Sequence, residues 1–169
     1  MGTDLQIADL SSFHEHTVRR MEDRMTRRQL RESIFKALFR IEFSEGQERK
    51  EQVEYHLQEL AEQEQEDGTI VFAKEQDVEY VRQKTADVQE HLEELDAMIE
   101  MNTEGWKLSR IGKAELAILR LAVYEMRFDP EVPQSVAINE AVELTKQYCD
   151  EDARGFVNAV LGKLAKQQD

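Results

Sequence analysis

Cysteine, proline, glycine and tryptophan are scarce in this chain of 169 residues, which contains one Cys, two Pro, seven Gly and one Trp. Cys149 alone cannot form an intramolecular disulfide, so the fold depends on its apolar core, and a reducing cytoplasm suits it best. So few prolines and glycines leave little punctuation for a many-turned β architecture. No apolar run approaches the roughly 20 residues needed to span a bilayer, so no membrane role is expected. Residues 1–24 lack the continuous apolar segment of a signal peptide, and Met21 and Met25 offer alternative starts. These residues read as a leader, either disordered or not native to the chain.

Catalytic signatures are missing too. His14, His16, His56 and His91 have no HExxH partner, and none follows a glutamate by three residues as a di-iron helix bundle requires. No glycine-rich phosphate loop appears. The expectation is a binding protein with no cofactor and no metal, not an enzyme.

What is present is helical periodicity in a chain with 40% hydrophobic and 34% charged residues and a net charge of −14. Leu30, Ile34, Ala37, Leu38 and Ile41 make one stripe of a helix over residues 27–45, and Thr26 with Gln29 has capping-box spacing. A second helix is expected over 48–64. The segment DGTI, residues 67–70, breaks the pattern. A long helix follows over 74–101, with Val78, Val81, Val88, Leu92, Leu95 and Ile99 at three- and four-residue steps; a short coiled coil is the alternative. NTEGWKLSRIG, residues 102–112, reads as a hinge. Helices over 113–127, 133–149 and 151–166 complete the chain, Pro133 suiting a first turn and Asp150 or Asp152 an N-cap. The class is all-α: two small helical bundles in one compact domain. Residues 25–104 form the N-terminal helical subdomain and 105–169 the C-terminal one.

Against this acidic background, DRMTRRQLR at residues 23–31 gathers Arg24, Arg27, Arg28 and Arg31. At about 100° per residue they share an arc of roughly 100°, provided the helix extends back to Arg24. A cation at a helix N-terminus is disfavoured by about 0.3–1 kcal/mol. A bound anion such as RNA phosphate would reverse that sign, because guanidinium forks and free backbone N–H groups would meet it together. Phe35 and Phe39 continue nearly the same arc as a stacking surface. The competing reading makes the arginines a solvated face and the phenylalanines core. Gly155, Ala159 and Gly162 form a small-residue face on the last helix, explained either by close approach of another backbone or by drift.

WKLSRIGKAELAILRLAVYEM (residues 106–126) and VPQSVAINEAVELTKQYCDEDARGFVNAVLGKL (residues 132–164) closely resemble the NusB family of bacterial transcription antitermination factors. RRQLRESIFKALFRIEF (residues 27–43) is similar to the family's arginine-led opening helix. The resemblance implies an all-helical, two-bundle, NusB-like protein. Such a protein binds boxA-type single-stranded RNA of nascent ribosomal transcripts together with NusE, the transcription role of a small-subunit ribosomal protein. Its setting is an RNA polymerase elongation complex with other Nus factors. The family's RNA-binding opening maps onto Arg27, Arg28 and Arg31, with Arg24 just outside, and its other RNA-facing region onto Asp152 and Phe156. Phe156 flanks the Val157, Val160, Leu161 and Leu164 stripe, so exposure and burial are both open to it. The NusE-contacting face maps onto Phe39 and Glu115. Asp23 and the Met25-Thr26 interruption depart from a strongly basic opening, which leaves a basic partner to supply part of the RNA affinity. Two rivals stand beside this reading. One is the NusB-like RNA-binding domain of certain RNA cytosine methyltransferases, for whose catalytic part a chain ending at Asp169 leaves no room. The other is a helical protein-interaction module without RNA.

Overall fold

The computed structural model describes residues 18–21 and 23–167; most of the expected leader lies outside the described residues. Seven α-helices dominate among them: α1 (Arg27–Ile41), α2 (Gln47–Ala61), α3 (Glu75–Glu90), α4 (Leu92–Met101), α5 (Lys113–Phe128), α6 (Gln134–Tyr148) and α7 (Glu151–Lys166). A 3-10 turn, Leu108–Arg110, leads into α5. Three short strands, β1 (Val18–Arg20), β2 (Glu62–Glu64) and β3 (Ile70–Phe72), form a small sheet in the order β1-β3-β2. The all-α class holds, and no helix among the described residues is long and apolar enough to cross a membrane.

α5 is the hub. Every residue from Leu116 to Glu125 is buried, so this helix meets neighbours on all sides. α1, α4, α6 and α7 pack directly around it, and α3 lies mainly against α1 and α2. One apolar cluster runs from Leu30, Ile34 and Leu38 of α1 through Val81 and Val88 of α3 and Leu95 and Ile99 of α4. It continues through α5 to Val157, Leu161 and Leu164 of α7. Burying a side chain of this size stabilises by about 1.5–3 kcal/mol.

Local departures from the sequence reading have physical causes. The expected helix over 74–101 is two helices meeting at His91, whose φ of −95° and ψ of 6° break the helix. Its imidazole stacks on Phe128, centroids 4.0 Å apart. The two parts serve different partners, α3 packing on α1 and α4 on α5, which one straight rod or coiled coil would not allow. The second helix stops at Ala61, and residues 62–64 pair antiparallel with 70–72. Asp67-Gly68 makes the intervening turn: Gly68 sits at φ 81°, the left-handed region open to glycine, and Asp67 accepts from Thr69 N at 2.9 Å. Val18–Arg20 adds to β3 in parallel.

The small-residue face of α7 is not a close internal packing site. A Cβ built at Gly155 or Gly162 meets nothing within 4 Å. Both are helix-interior glycines with open space, so Gly155→Ala and Gly162→Ala should each raise stability by about 0.8–1 kcal/mol and add together, as read from urea unfolding midpoints. Loss of stability in either variant would mean that the space is filled.

A second expectation concerns pH. His56 on α2 is buried, with Nε2 2.9 Å from Ser33 Oγ of α1, and burial pushes its pKa below the ordinary value. The unfolded chain then takes up the proton first on acidification. Stability from this residue is complete above the unfolded value of about 6.5 and falls as pH drops through it towards the lower folded value. Wild type should therefore lose more stability between pH 7.5 and 5.5 (about 7.5 and 5.5 bracket the unfolded value) than His56→Gln does. Parallel pH profiles would remove His56 as the cause.

Candidate nucleic-acid interface

The start of α1 is built as its sequence predicts. Thr26 is the N-cap: its hydroxyl accepts from Gln29 N at 3.1 Å, and Gln29 Oε1 accepts from Thr26 N at 2.8 Å. Because the cap falls at Thr26, Arg24 lies outside the helix and does not join the arc of the other arginines. Its Nε donates to Asp77 Oδ1 at 2.6 Å, while Met25 N donates to Asp77 Oδ2 at 2.8 Å. One fully buried carboxylate on α3 thus holds the chain entering α1 by both oxygens.

The three helical arginines part company. Arg28 points to solvent, its side chain 67% exposed, and its Nε and terminal nitrogen donate to both oxygens of Glu140 on α6 at 3.0 and 2.9 Å. Those hydrogen bonds hold the Glu140 carboxyl below its usual range, and Glu140 in turn raises Arg28. Arg31 points inward with its side chain only 10% exposed, forking onto Glu125 of α5 at 2.8–3.1 Å. Burial pushes Glu125 upward, and Arg31 works against that push. Arg27 is exposed and has no ion-pair partner among the described residues. Phe35 is core, 2% exposed and packed on Tyr148 with centroids 4.9 Å apart, so it offers no open stacking surface.

Asp152 stands exposed in the first turn of α7. Phe156, one turn later, is half-buried at the edge of the core, its ring centroid 6.2 Å from that of Trp106. Among the described residues no hydrogen bond or ion pair joins Asp152 or Phe156 to the arginines of α1. Phe39 is half-buried between Phe35 and the exposed Phe43, which it meets edge-on at 5.2 Å. Glu115 is the third residue of α5, and its carboxylate curls over Gly112, 3.2 Å from where a Cβ would stand. That places a negative charge at the positive end of the helix dipole. Cys149 is raised to about 11, by burial first and then by the charge of Glu115. Phe39, through Phe35 and Tyr148, and Glu115, through Cys149, therefore border the same end of α6.

Sequence reasoning missed Asp77 and Glu140 as arginine partners, and Lys113, whose ammonium lies 4.7 Å from the Phe43 ring centroid. No group of three His, Cys, Asp or Glu side chains placed to hold a metal occurs among the described residues.

Comparison with known proteins gives one consistent result. A family profile described as the NusB family matches residues 28–166. A transcription antitermination protein NusB from Agathobacter rectalis is 43% identical over 141 residues, covering 83% of this chain and 100% of the relative. Among solved structures, T. maritima NusB superposes with a TM-score of 0.72 at 31% identity, covering 86% of this chain and 94% of the other. A structure of the antitermination factors NusB and NusE in complex with dsRNA superposes with a TM-score of 0.68 at 26% identity, covering 85% and 100%.

The inward arginine yields a stability prediction. Arg31→Met leaves the buried Glu125 carboxylate without its cation and should cost about 3–5 kcal/mol in urea unfolding. Adding Glu125→Leu removes the orphaned charge and should recover most of that loss. A single variant within about 1 kcal/mol of wild type would show that the pair does not tie α1 to α5.

Proposed function

Because the chain belongs to the NusB family, we infer that it is an RNA-binding transcription antitermination factor that works together with NusE, by binding and not by catalysis. The finer reading is that it takes boxA-type single-stranded RNA of nascent ribosomal transcripts, in the cytoplasm, within an RNA polymerase elongation complex. The placement of Arg27 and Arg28 carries it: two exposed cations at the capped start of a helix, on a chain of net charge −14. Stability alone favours acids there, whereas a phosphate would gain from guanidinium and helix dipole at once.

In this reading Arg27 meets a phosphate directly, and Arg28 does so while sharing its fork with Glu140. Arg24 extends the cationic edge, and Arg31 acts from beneath by fixing α1 to α5. Asp152 and Phe156 supply polar and stacking contacts from α7. Phe39 and Glu115 face NusE. An acidic body repels polyanions at long range, and most of its arginines are matched by carboxylates, so intrinsic RNA affinity should be low and a basic partner should raise it.

The test is a salt titration of boxA-type RNA binding, with and without NusE. For single strands the slope of log affinity against log salt is about −0.7 per phosphate neutralised, so Arg27→Ala/Arg28→Ala should flatten it by about 1.4 and weaken unrelated RNA sequences alike. An unchanged slope with the fold intact would make these arginines a solvated face. Equal affinities with and without NusE would remove the joint binding.

A further inference from the structure

Trp106 is the single tryptophan of the chain, and it is 54% exposed although it is the largest apolar side chain present. The turn that carries it is rigidly built. Thr103 is 3% exposed, and its hydroxyl donates to Trp106 O at 2.7 Å, while Trp106 N donates back to Thr103 O at 3.3 Å. Between them Glu104 and Gly105 both take left-handed backbone, φ 55° and 90°. For Glu104 that conformation is strained, and it persists only where its surroundings hold it. Here the buried Asn102 and Thr103 hold it, Asn102 accepting from Gln167 Nε2 just past α7 at 3.0 Å, while the exposed Glu104 carboxylate adds a surface ion pair with Lys163 of α7.

The turn is thereby pinned to one particular face of α7. Asp152, Phe156, Ala159 and Lys163 follow one another at steps of four, three and four residues and share a side of the helix. Lys163 binds the turn's acid, and Phe156 meets the Trp106 ring at 6.2 Å with 52° between the planes. Two cations follow the indole within four residues, Lys107 and Arg110, and both are exposed with no carboxylate partner among the described residues. Of the nearby acids, Glu104 and Glu151 pair with Lys163 and Arg154, while Asp150 and Asp152 at the start of α7 have no ion-pair partner among the described residues.

We propose that Trp106 is a base-stacking residue of the RNA interface, forming with Phe156 a two-ring ledge on which an unstacked base of single-stranded RNA lies, with Lys107 and Arg110 beside its phosphates. Aromatic rings interleaved with unpaired cations suit a nucleotide better than an apolar protein surface, because every base has a π-face and every nucleotide a charge. A ring fixed in advance by its turn also loses little freedom on binding. The proposal rests on the antitermination reading for its ligand.

The single tryptophan gives a direct readout. BoxA-type RNA is titrated into the full chain at fixed NusE, with the NusE signal subtracted, while labelled RNA reports binding by anisotropy. Trp106 emission should be quenched along the same isotherm. Trp106→Ala should weaken RNA binding by roughly 5- to 150-fold, the range for one stacked base, without altering the salt slope, and Trp106→Phe should keep most of the affinity. Full RNA binding by wild type with unchanged Trp106 emission overturns the proposal, even if Trp106→Ala fails to fold. A quench produced by NusE alone, with NusE binding lost in Trp106→Phe, also overturns it by placing the ring in the protein interface. Absence of RNA binding by wild type with NusE overturns the antitermination reading and this one together.

Discussion

α5 is buried all round, yet it carries Arg120 and Glu125, and neither charge can remain in an apolar interior without a partner. Their partners determine where the neighbouring helices sit. Arg120 forks onto Asp96 of α4 at 2.8 and 3.0 Å and also binds Glu42, just past the end of α1. Glu125 takes Arg31, near the start of α1. α1 is thus tied to α5 near both its ends, and its rotation about its own axis is set. Arg27, Arg28 and Arg31 share one side of α1, and the first two are exposed because they stand in its first turn, one turn before Arg31 reaches Glu125. The two buried knots fix that side of the helix, and its open end presents the cations.

The same requirement explains why the arginine cluster is weakly cationic in place. Arg24 is matched by Asp77, Arg28 by Glu140 and Arg31 by Glu125, which leaves Arg27 as the one member of the four without an ion pair among the described residues. Asp77 and Glu125 are interior and cannot release their arginines without leaving a buried charge alone. The Arg28 pair is different: its guanidinium is mostly in solvent, where an ion pair contributes little. A phosphate can therefore compete for Arg28 at small cost. An acidic protein with one free and one exchangeable guanidinium has a weak grip of its own, which fits an RNA-binder that depends on a second protein.

Features written in local sequence were legible, and those made by distant residues were not. Thr26 with Gln29 announced the cap of α1, and the apolar stripe of α7 gave its limits, because both depend on residues within one or two turns. The break at His91 was hidden: the apolar steps run on through it, and what divides the helix is packing against different partners. The β-hairpin was half visible. In sequence Asp67-Gly68 reads only as a helix breaker, although the apolar run after it is the composition a strand prefers. The fates of the arginines were out of reach. Arg28 and Arg31 look alike in sequence, and their partners lie 112 and 94 residues away. Trp106 reads as part of a hinge because nothing local shows that Gln167, 65 residues from the buried Asn102, ties its turn to the end of α7.

α6 relates the two proposed ends of the RNA path. Midway along it Glu140 holds Arg28, and at its end Tyr148 packs on Phe35 and donates to Glu32, so α6 crosses the outer side of α1. From Glu140 to Tyr148 the helix rises about 12 Å at 1.5 Å per residue. α7 begins just beyond, carrying Asp152 and Phe156 and, pinned beside them, Trp106. An RNA held by Arg27 and Arg28 at one end and stacked on the two rings at the other would have to run along the second half of α6, past Glu143 and the Glu32 rim. That stretch holds Glu143 paired with Lys146 and Glu32 paired with Lys36, so its charge is nearly balanced and offers phosphates little net attraction. On this path the chain would supply a cationic grip and an aromatic ledge with a nearly neutral span between them, and a basic protein seated at the Phe39 and Glu115 edge is what would make the path continuous.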